Sequence, residues 1–370
     1  MRLALRELRR RPGRFVAATV ILTLIALLLM FLGGLLDGLI GSSTGAYRAQ
    51  QADAIVYSGT ANQSLVRSRI TPELRQQVEA TAGVSRVGAL GSVQLGARPS
   101  ESPKSRDLVA TVLFGYELAP RGLPATPPAL GKVIADRALR ADGVAQGDVL
   151  LLGPQRSRVQ VIGFVDDTRY AGQGSLWGSI DTWRAVESAN RPGQVGAQAV
   201  QALVVETTSD PSQVAKAIDA STSYATESLT LSAATEALPG VAQQTATFNQ
   251  IIGVTALVAL VVVALFFALI TVERTALYGI LKAVGASGWT LFIGVIIQAV
   301  AVTLVAAVIG VVGSLALDAV IPPGSIPFDV TPTRLLTSVG LMLFASVAGC
   351  AFSLRRVLRI DPASAIGTSS

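Results

Sequence analysis

The residue types that most enzymes use for catalysis are scarce in this chain. Histidine is absent, and the only cysteine, Cys350, lies in an apolar run. The commonest general base, the commonest metal ligand and an intrachain disulfide are therefore excluded. The glycines before Lys132 lack the spacing of a phosphate-binding loop, and Val133 occupies its Ser/Thr position. We expect no catalytic residues and no metal site.

Two other features invite a functional interpretation and favour a structural one. Asp166 and Asp167 follow a predicted strand, but adjacent strand residues point to opposite faces, which favours a solvated strand end over a catalytic pair. Trp177 and Trp183 are expected to serve packing or a membrane-facing surface rather than substrate stacking.

A short segment between two long apolar runs has the pattern of a contact site. Its apolar side chains recur at helical spacing: Leu277, Ile280, Leu281 and Val284. Its polar and basic face contains Glu273, Arg274 and Lys282. This pattern predicts an amphipathic helix that ends at Gly285 and either docks a soluble partner or lies on the membrane surface.

The composition indicates a membrane protein with a soluble part. Apolar residues make up 51% of the 370 residues and charged residues 15%, and the mean hydropathy is +0.54. The long apolar runs lie at the N-terminus and in the last third, whereas residues 41–240 have soluble composition. We predict an α-helical membrane protein with four transmembrane helices and an α+β domain inserted between the first and second.

Basic residues predict the orientation. Residues 1–14, 273–287 and 355–370 contain eleven Lys and Arg, against one in the short loop at 318–334. By the positive-inside rule both ends are cytoplasmic and the inserted domain is extracytoplasmic. The first apolar run favours an uncleaved signal anchor over a cleaved signal peptide. The net charge of +6 is explained by this topology, so nucleic acid is not an expected partner.

The predicted order along the chain has nine parts. They are a cytoplasmic amphipathic entry helix at 1–14, the first span at 15–40, the extracytoplasmic α+β domain at 41–240, a stalk and second span at 241–272, the cytoplasmic junction helix at 273–287, the third span at 288–317, an outer loop at 318–334, the fourth span at 335–354 and a cytoplasmic tail at 355–370. A loop before an ordinary second span is the alternative to the stalk. Gly34 and Gly38 form a small-xxx-small pair for packing within one subunit or in a dimer.

The soluble middle alternates strand and helix patterns. Residues 52–57 and 107–117 predict strands, and Thr71 caps a helix that begins at Pro72. Residues 132–153 predict a strand, a helix and a second strand after a Gly-Asp turn, and the second half has small-barrel character.

Three stretches resemble the FtsX/MacB-like permease subunits of ABC transporters, the type VII or mechanotransmission class. RTALYGILKAVGA (274–286) is similar to that family's R-x-x-E-x-G-x-x-[RK]-A-x-G-A stretch, with Leu277 at the acidic position. The tail RIDPASA (359–365) and the outer-domain segment VIADRALRADGVAQGDVLLL (133–152) are also similar. The short outer domain, a MacB-like core, favours the DevC-like branch.

The resemblance implies a permease dimer, homomeric or heteromeric, bound to two ATP-binding subunits. ATP and Mg²⁺ would bind to these partners, and no cofactor directly to this chain. The segment after the second span would be the coupling helix that contacts the ATPase. Its residues would be Glu273, Arg274, Leu277, Tyr278, Gly279, Leu281, Lys282, Val284, Gly285 and Ala286.

Three functions are then open. The first is export or extraction of lipid, lipoprotein, peptide or drug cargo, with membrane lipids and an extracytoplasmic adaptor as further partners. The second is mechanotransmission that activates a cell-wall hydrolase. The third is a membrane sensor or assembly factor that needs no ATPase.

Overall fold

The computed structural model describes residues 12–100, 108–193, 198–273, 280, 284–285, 287–321 and 326–358. The chain divides into two compact units. The span unit comprises residues 1–38, 245–322 and 328–370, and the sheet unit comprises residues 39–244 and 323–327.

The helices in the described part of the chain belong to both units. They are α1 (Pro12–Arg48), α2 (Pro72–Glu79), α3 (Ile180–Asn190), α4 (Pro211–Ser221), α5 (Leu231–Glu236), α6 (Val241–Glu273), α7 (Gly288–Val320) and α8 (Pro332–Leu358). The strands are β1 (Ala54–Ser58), β2 (Val84–Pro99), β3 (Val109–Tyr116), β4 (Lys132–Asp136), β5 (Val149–Leu152), β6 (Ser157–Val165), β7 (Gly174–Ser179), β8 (Ala202–Thr207) and β9 (Thr226–Thr230).

The nine strands form one sheet in the order β3-β7-β4-β6-β5-β2-β8-β1-β9, and β3 also pairs with β2. The second pairing closes six strands into a ring, which confirms the predicted barrel character. Strand β2 makes this possible because its 16 residues change partners along their length. Its first part pairs with β8, its middle with β3 and its end with β5.

Local sequence signals explain most elements of the sheet unit. The Thr71 side chain accepts a hydrogen bond from the Leu74 amide, and Pro72 occupies the first turn of α2. The predicted helix after β4 is instead a single 3₁₀ turn, Arg137–Arg140, and Gly143 at φ +84° closes the segment. Strands β7 and β9 and helix α3 were not predicted.

Both tryptophans of the sheet unit are fully buried, which confirms their packing role. Trp183 of α3 covers Gly91 and Gly115, two glycines that face each other across β2 and β3. Trp177 stacks on Phe114 with ring centroids 4.6 Å apart. The two rings therefore belong to the apolar cores on the two faces of the sheet.

In the described part of the chain, four helices are long and apolar enough to cross a membrane. They are the segments Val16–Arg48, Val241–Ile270, Gly288–Val320 and Pro332–Ala351. Small residues bring the helices close: a Cβ added at Gly310 would lie 2.8 Å from the Ala26 Cβ, and one at Gly349 would lie 2.8 Å from the Leu260 carbonyl oxygen. Thr303 donates a buried hydrogen bond to Ser346, which links α7 to α8.

The Gly115→Ala substitution should destabilise the protein. Its Cβ would lie 2.6 Å from the Trp183 Cβ and 3.1 Å from the Ser179 carbonyl oxygen, so α3 must shift. Overpacking of this kind costs about 1–3 kcal/mol. The matched control is Gly163→Ala in β6, where nothing lies within 4 Å. Thermal unfolding should show a lower midpoint for Gly115→Ala alone, and equal midpoints would contradict the packing argument.

Candidate functional site

The predicted coupling helix lies at the junction between α6 and α7. Helix α6 ends at Glu273, which is exposed. Ile280 is helical and 54% exposed, and Val284, 83% exposed, donates its amide to the Ile280 carbonyl oxygen at 3.0 Å. Two apolar side chains one helical turn apart are thus exposed, as a docking surface requires.

Gly285 follows Val284 in a left-handed backbone conformation, as a residue that ends a helix often does. Its φ of +104° is a backbone conformation that side chains with a Cβ rarely adopt, and nothing lies within 4 Å of an added Cβ. Ser287 then caps α7 by accepting a hydrogen bond from the Thr290 amide. The other predicted coupling residues lie outside the described part of the chain: Arg274, Leu277, Tyr278, Gly279, Leu281, Lys282 and Ala286. The entry helix before Pro12 and the tail after Leu358 also lie outside it.

An ion pair that the sequence did not predict joins two spans. The guanidinium of Arg334 in α8 bonds the carboxylate of Asp37 in α1, with Nε 3.2 Å from both carboxylate oxygens. Thr331 donates to the same carboxylate at 2.8 Å. Only 26% of the Arg334 side chain and 17% of the Asp37 side chain are exposed, so the pair is partly buried. The sequence indicates this pair only through the position of its two charges: Asp37 follows the first apolar run, and Arg334 precedes the last one.

Glycines of α1 make room for this contact. A Cβ at Gly33 would lie 2.5 Å from the Arg334 Cδ, and one at Gly34 would lie 2.5 Å from the Phe328 ring. The Gly34 carbonyl also accepts a hydrogen bond from the Asp329 amide. Gly34 therefore packs within the subunit, and Gly38 is buried. A dimer contact at Gly34 and Gly38 stays a prediction.

The last turns of α1 are joined to the loop 166–173 by backbone hydrogen bonds, a contact that we call the strap. The Ala46 amide donates to the Arg169 carbonyl at 3.0 Å, and the amides of Ala171 and Gly172 donate to the carbonyls of Ser43 and Ser42, each at 3.1 Å. Such a backbone approach needs small side chains. Gly45 provides one, since an added Cβ would lie 2.8–2.9 Å from backbone atoms of Asp167 and Arg169.

Aromatic side chains surround the strap. The hydroxyls of Tyr47 and Tyr57 lie 3.0 Å apart, and Tyr170 stacks on Tyr47 and meets Phe114 edge-on. Burial raises the pKa of Tyr57 and of Tyr170. Both phenols therefore stay protonated at neutral pH, and the Tyr57 hydroxyl bonds that of Tyr47 as a neutral group.

The two aspartates after β6 make surface ion pairs. Asp166 pairs with Arg137 at 2.9 Å and Asp167 with Arg48 at 3.0 Å, and all four side chains are largely exposed. The solvated-strand interpretation therefore holds. Across the described residues, no group of three or more His, Cys, Asp or Glu lies close enough to hold a metal ion.

The junction and the last three spans lie in a region that is similar to a known protein family. Residues 249–362 match the FtsX-like permease C-terminal family. The whole chain is 22% identical to a protein named as the hemin transport system permease HrtB of Staphylococcus epidermidis RP62A, with 99% of each chain covered. Over 112 residues it is 33% identical to an uncharacterised ABC transporter permease of Mycobacterium tuberculosis, which covers 30% of this chain and 31% of that one.

Two solved structures are similar to the sheet unit at low scores. The periplasmic region of MacB from Actinobacillus actinomycetemcomitans has a TM-score of 0.35 and 10% identity, covering 50% of this chain and 92% of that one. The extracellular domain of the ABC-type transporter YknZ from Gram-positive bacteria has a TM-score of 0.33 and 13% identity, covering 48% and 100%.

Four spans that flank an inserted α+β domain make this chain a multi-pass membrane protein. The family match over the last three spans and the full-length relatives identify it further. Residues 249–362 form an FtsX-like permease C-terminal domain, and the relatives that align over the whole chain are named as permeases, in agreement with the sequence resemblance.

The Gly45→Ala substitution should open the strap. The added methyl group meets backbone rather than a flexible side chain, so the loop 166–173 must move away. Hydrogen exchange measured by mass spectrometry should become faster in the peptide that contains Ala171 and Gly172. The control is Gly41→Ala, one turn earlier, where the nearest atom is the end of the Arg48 side chain at 3.4 Å. Equal protection in both variants would show that Gly45 does not maintain the strap.

The Asp37→Asn substitution should destabilise the span unit. It leaves the partly buried Arg334 guanidinium without its carboxylate, which we expect to cost about 1–3 kcal/mol. Thermal unfolding of the purified protein in detergent measures the effect. Asp318→Asn removes an exposed carboxylate from α7 and should leave the midpoint unchanged. If both variants unfold at the same temperature, the Asp37–Arg334 pair contributes no measurable stability.

Proposed function

We propose that this permease couples ATP hydrolysis by a separate partner subunit to motion of its α+β domain, and that this motion exports or extracts an amphiphilic cargo. The main support for this proposal is the junction after α6. There Ile280 and Val284 are exposed, Gly285 forms a turn, and all three residues lie inside the FtsX-like match. ATP and Mg²⁺ would bind to the partner. Two such ATPases and a second permease copy would complete the complex.

The interior of the span unit supports mechanical coupling over passage of a hydrophilic solute. The polar residues buried in the described parts of α6, α7 and α8 are neutral: Gln298, Thr303, Ser314, Ser338 and Ser346. The partly buried Asp37 and Arg334 neutralise each other. A path for ions or polar solutes ordinarily contains charged or strongly polar side chains facing a cavity.

The strap offers a route by which α1 acts on the sheet. Backbone hydrogen bonds have little freedom to slide, and here they join the end of α1 to the loop between β6 and β7. Displacement of α1 along its axis would therefore pull on two strands of the closed ring. With the N- and C-termini in the cytoplasm, as the basic residues predict, the junction would face the ATPase and the sheet unit would lie outside.

The names of the relatives that align over the whole chain bear on the chemical class of the proposed cargo. The proteins named as hemin transport permeases align over 99% of this chain. Hemin combines an apolar ring with two carboxylates, so it belongs with lipids, lipoproteins and many drugs among amphiphilic cargoes. We include hemin in the proposed cargo class because of these relatives. In the alternative function, the same motion activates a cell-wall hydrolase and transports no cargo.

The Gly285→Val substitution tests the coupling site. A β-branched residue at φ +104° is strained by about 1–2 kcal/mol, which lowers the population of the docking conformation about fivefold to thirtyfold. We expect ATPase stimulation by the reconstituted permease to fall correspondingly, together with co-purification of the ATPase subunit. The Lys282→Glu substitution should have the same effect by reversing a charge on the predicted docking face.

The matched control is Gly143→Val, because Gly143 also has a positive φ, +84°, and nothing within 4 Å, yet it lies in the sheet unit. It should strain the backbone equally and leave ATPase coupling intact. Full coupling in both Gly285→Val and Lys282→Glu would remove the assignment of the junction. Failure to retain any ATP-binding subunit, even with turnover blocked, would refute the ATPase partnership.

A further inference from the structure

The sheet unit contains a pocket of about 430 Å³ on the side of the ring where β2, β5 and the start of β3 meet. It is lined by Gly96 and Arg98 of β2, Leu108 before β3, Leu151 of β5, and Pro154 and Arg156 in the turn after β5. Its volume lies within the range that protein pockets for small ligands occupy. None of these residues contributes to the junction, the strap or the span contacts.

Strand register places cations on both sides of an apolar strip. Arg98 of β2 faces Leu151 of β5, and Leu151 faces Arg158 of β6. Directly opposed residues share one face of a sheet, so these three side chains form a row. Since neighbouring strands lie roughly 5 Å apart, the two arginines at its ends are about 10 Å apart. Arg156 adds a third cation at the pocket.

Among the residues that the structure describes, Arg98, Arg156 and Arg158 have no acidic partner, in contrast to several other arginines of the sheet unit. Arg75, Arg86 and Arg137 each form an ion pair with a carboxylate. Within the part of the chain that the structure describes, Arg98 has a buried Nε without any hydrogen-bond partner. The described residues that line the pocket include no acidic side chain. The Arg98 guanidinium therefore has hydrogen-bonding capacity that the described residues do not use, and charge-assisted bonds to anionic oxygens are the strong hydrogen bonds of arginine.

Apolar surface lies beside these cations. Leu108 is 63% exposed, Leu151 and Pro154 are also accessible, and the opposite face of the same strands belongs to the core. A polar anion such as free phosphate would use the arginines and leave the leucines in water. A neutral apolar molecule would cover the leucines and leave the guanidinium groups unpaired. The lining therefore matches a ligand that has both parts.

We propose that this pocket binds an amphipathic anion, with a carboxylate or phosphate between Arg98 and Arg156 and an apolar body against Leu108, Leu151 and Pro154. The ligand has two sources with the same chemistry: a soluble amphiphile, or an anionic lipid whose headgroup and upper chain enter the pocket. Binding requires no ATPase, so the proposal is independent of the proposed coupling function.

Fluorescence at the pocket rim provides the test. The native Cys350 is fully buried, so a Gln155→Cys variant of the full chain can be labelled selectively next to Pro154 with an environment-sensitive dye. The labelled protein, in nanodiscs of neutral phosphatidylcholine, is titrated with decanoate and with decanol. We expect a saturable emission change with decanoate and none with decanol.

Substitutions in the labelled protein identify the site. Arg98→Gln and Arg156→Gln should each weaken decanoate binding about tenfold or more, because a charge-assisted hydrogen bond is lost. Arg98→Lys keeps the positive charge and should retain most of the binding. Arg121→Gln, at an exposed arginine away from the lining, should bind like the parent.

Nanodiscs that contain phosphatidylglycerol distinguish the two sources. A shift in emission before titration, with weaker decanoate binding, assigns the pocket to a lipid headgroup, whereas unchanged titration assigns it to a soluble amphiphile. The proposal is overturned by an equal response to decanol, by decanoate binding that neither Arg98→Gln nor Arg156→Gln weakens, or by no response to either decanoate or phosphatidylglycerol. All of these readouts are made without an ATPase, so a negative result leaves the coupling function standing.

Discussion

The exchange of backbone hydrogen bonds between α1 and the loop 166–173 is the constraint on which the proposed mechanism depends. Amide and carbonyl groups must approach to about 3 Å, and no side chain larger than hydrogen fits at Gly45. The segment from Ser42 to Ala46 accordingly has only small residues. Such bonds are directional and hold the loop in one register. In the proposed mechanism, a displacement of α1 would therefore reach the sheet through its backbone rather than through side chains that could rearrange.

The span unit also depends on the close approach of its helices, but here the surroundings are lipid rather than water. Lipid offers no hydrogen bonds, so each span satisfies its backbone internally, and small residues allow tight packing. Gly310 and Gly349 admit neighbouring helices, and Gly33 admits the side chain of Arg334 to reach Asp37. The span helices are held together by packing and by the Asp37–Arg334 ion pair. That pair is neutralised and the other polar residues buried in the described parts of α6, α7 and α8 are neutral, which supports the proposed transmission of motion over conduction of polar solutes.

The sheet unit combines a closed ring of strands with a pocket on its surface. Closing six strands into a ring removes their free edges and lets β2 extend from the ring into the pairing with β8. Within the described part of the chain, the surface of the ring between β2 and β5 has arginines without acidic partners beside exposed leucine, and this is where the proposed ligand would bind.

The sequence by itself determined the features set by local chemistry. Uninterrupted apolar runs predicted four spans, Thr71-Pro72 predicted the start of α2, and the glycine after the amphipathic pattern predicted the turn at Gly285. Only the tertiary structure decided which distant residues meet. Asp37 and Arg334 lie 297 positions apart, Gly45 contacts a loop more than a hundred residues later, and the row from Arg98 to Arg158 depends on strand register. Such contacts depend on chain topology and on the absence of a Cβ at single positions, and neither leaves a periodic pattern in the sequence.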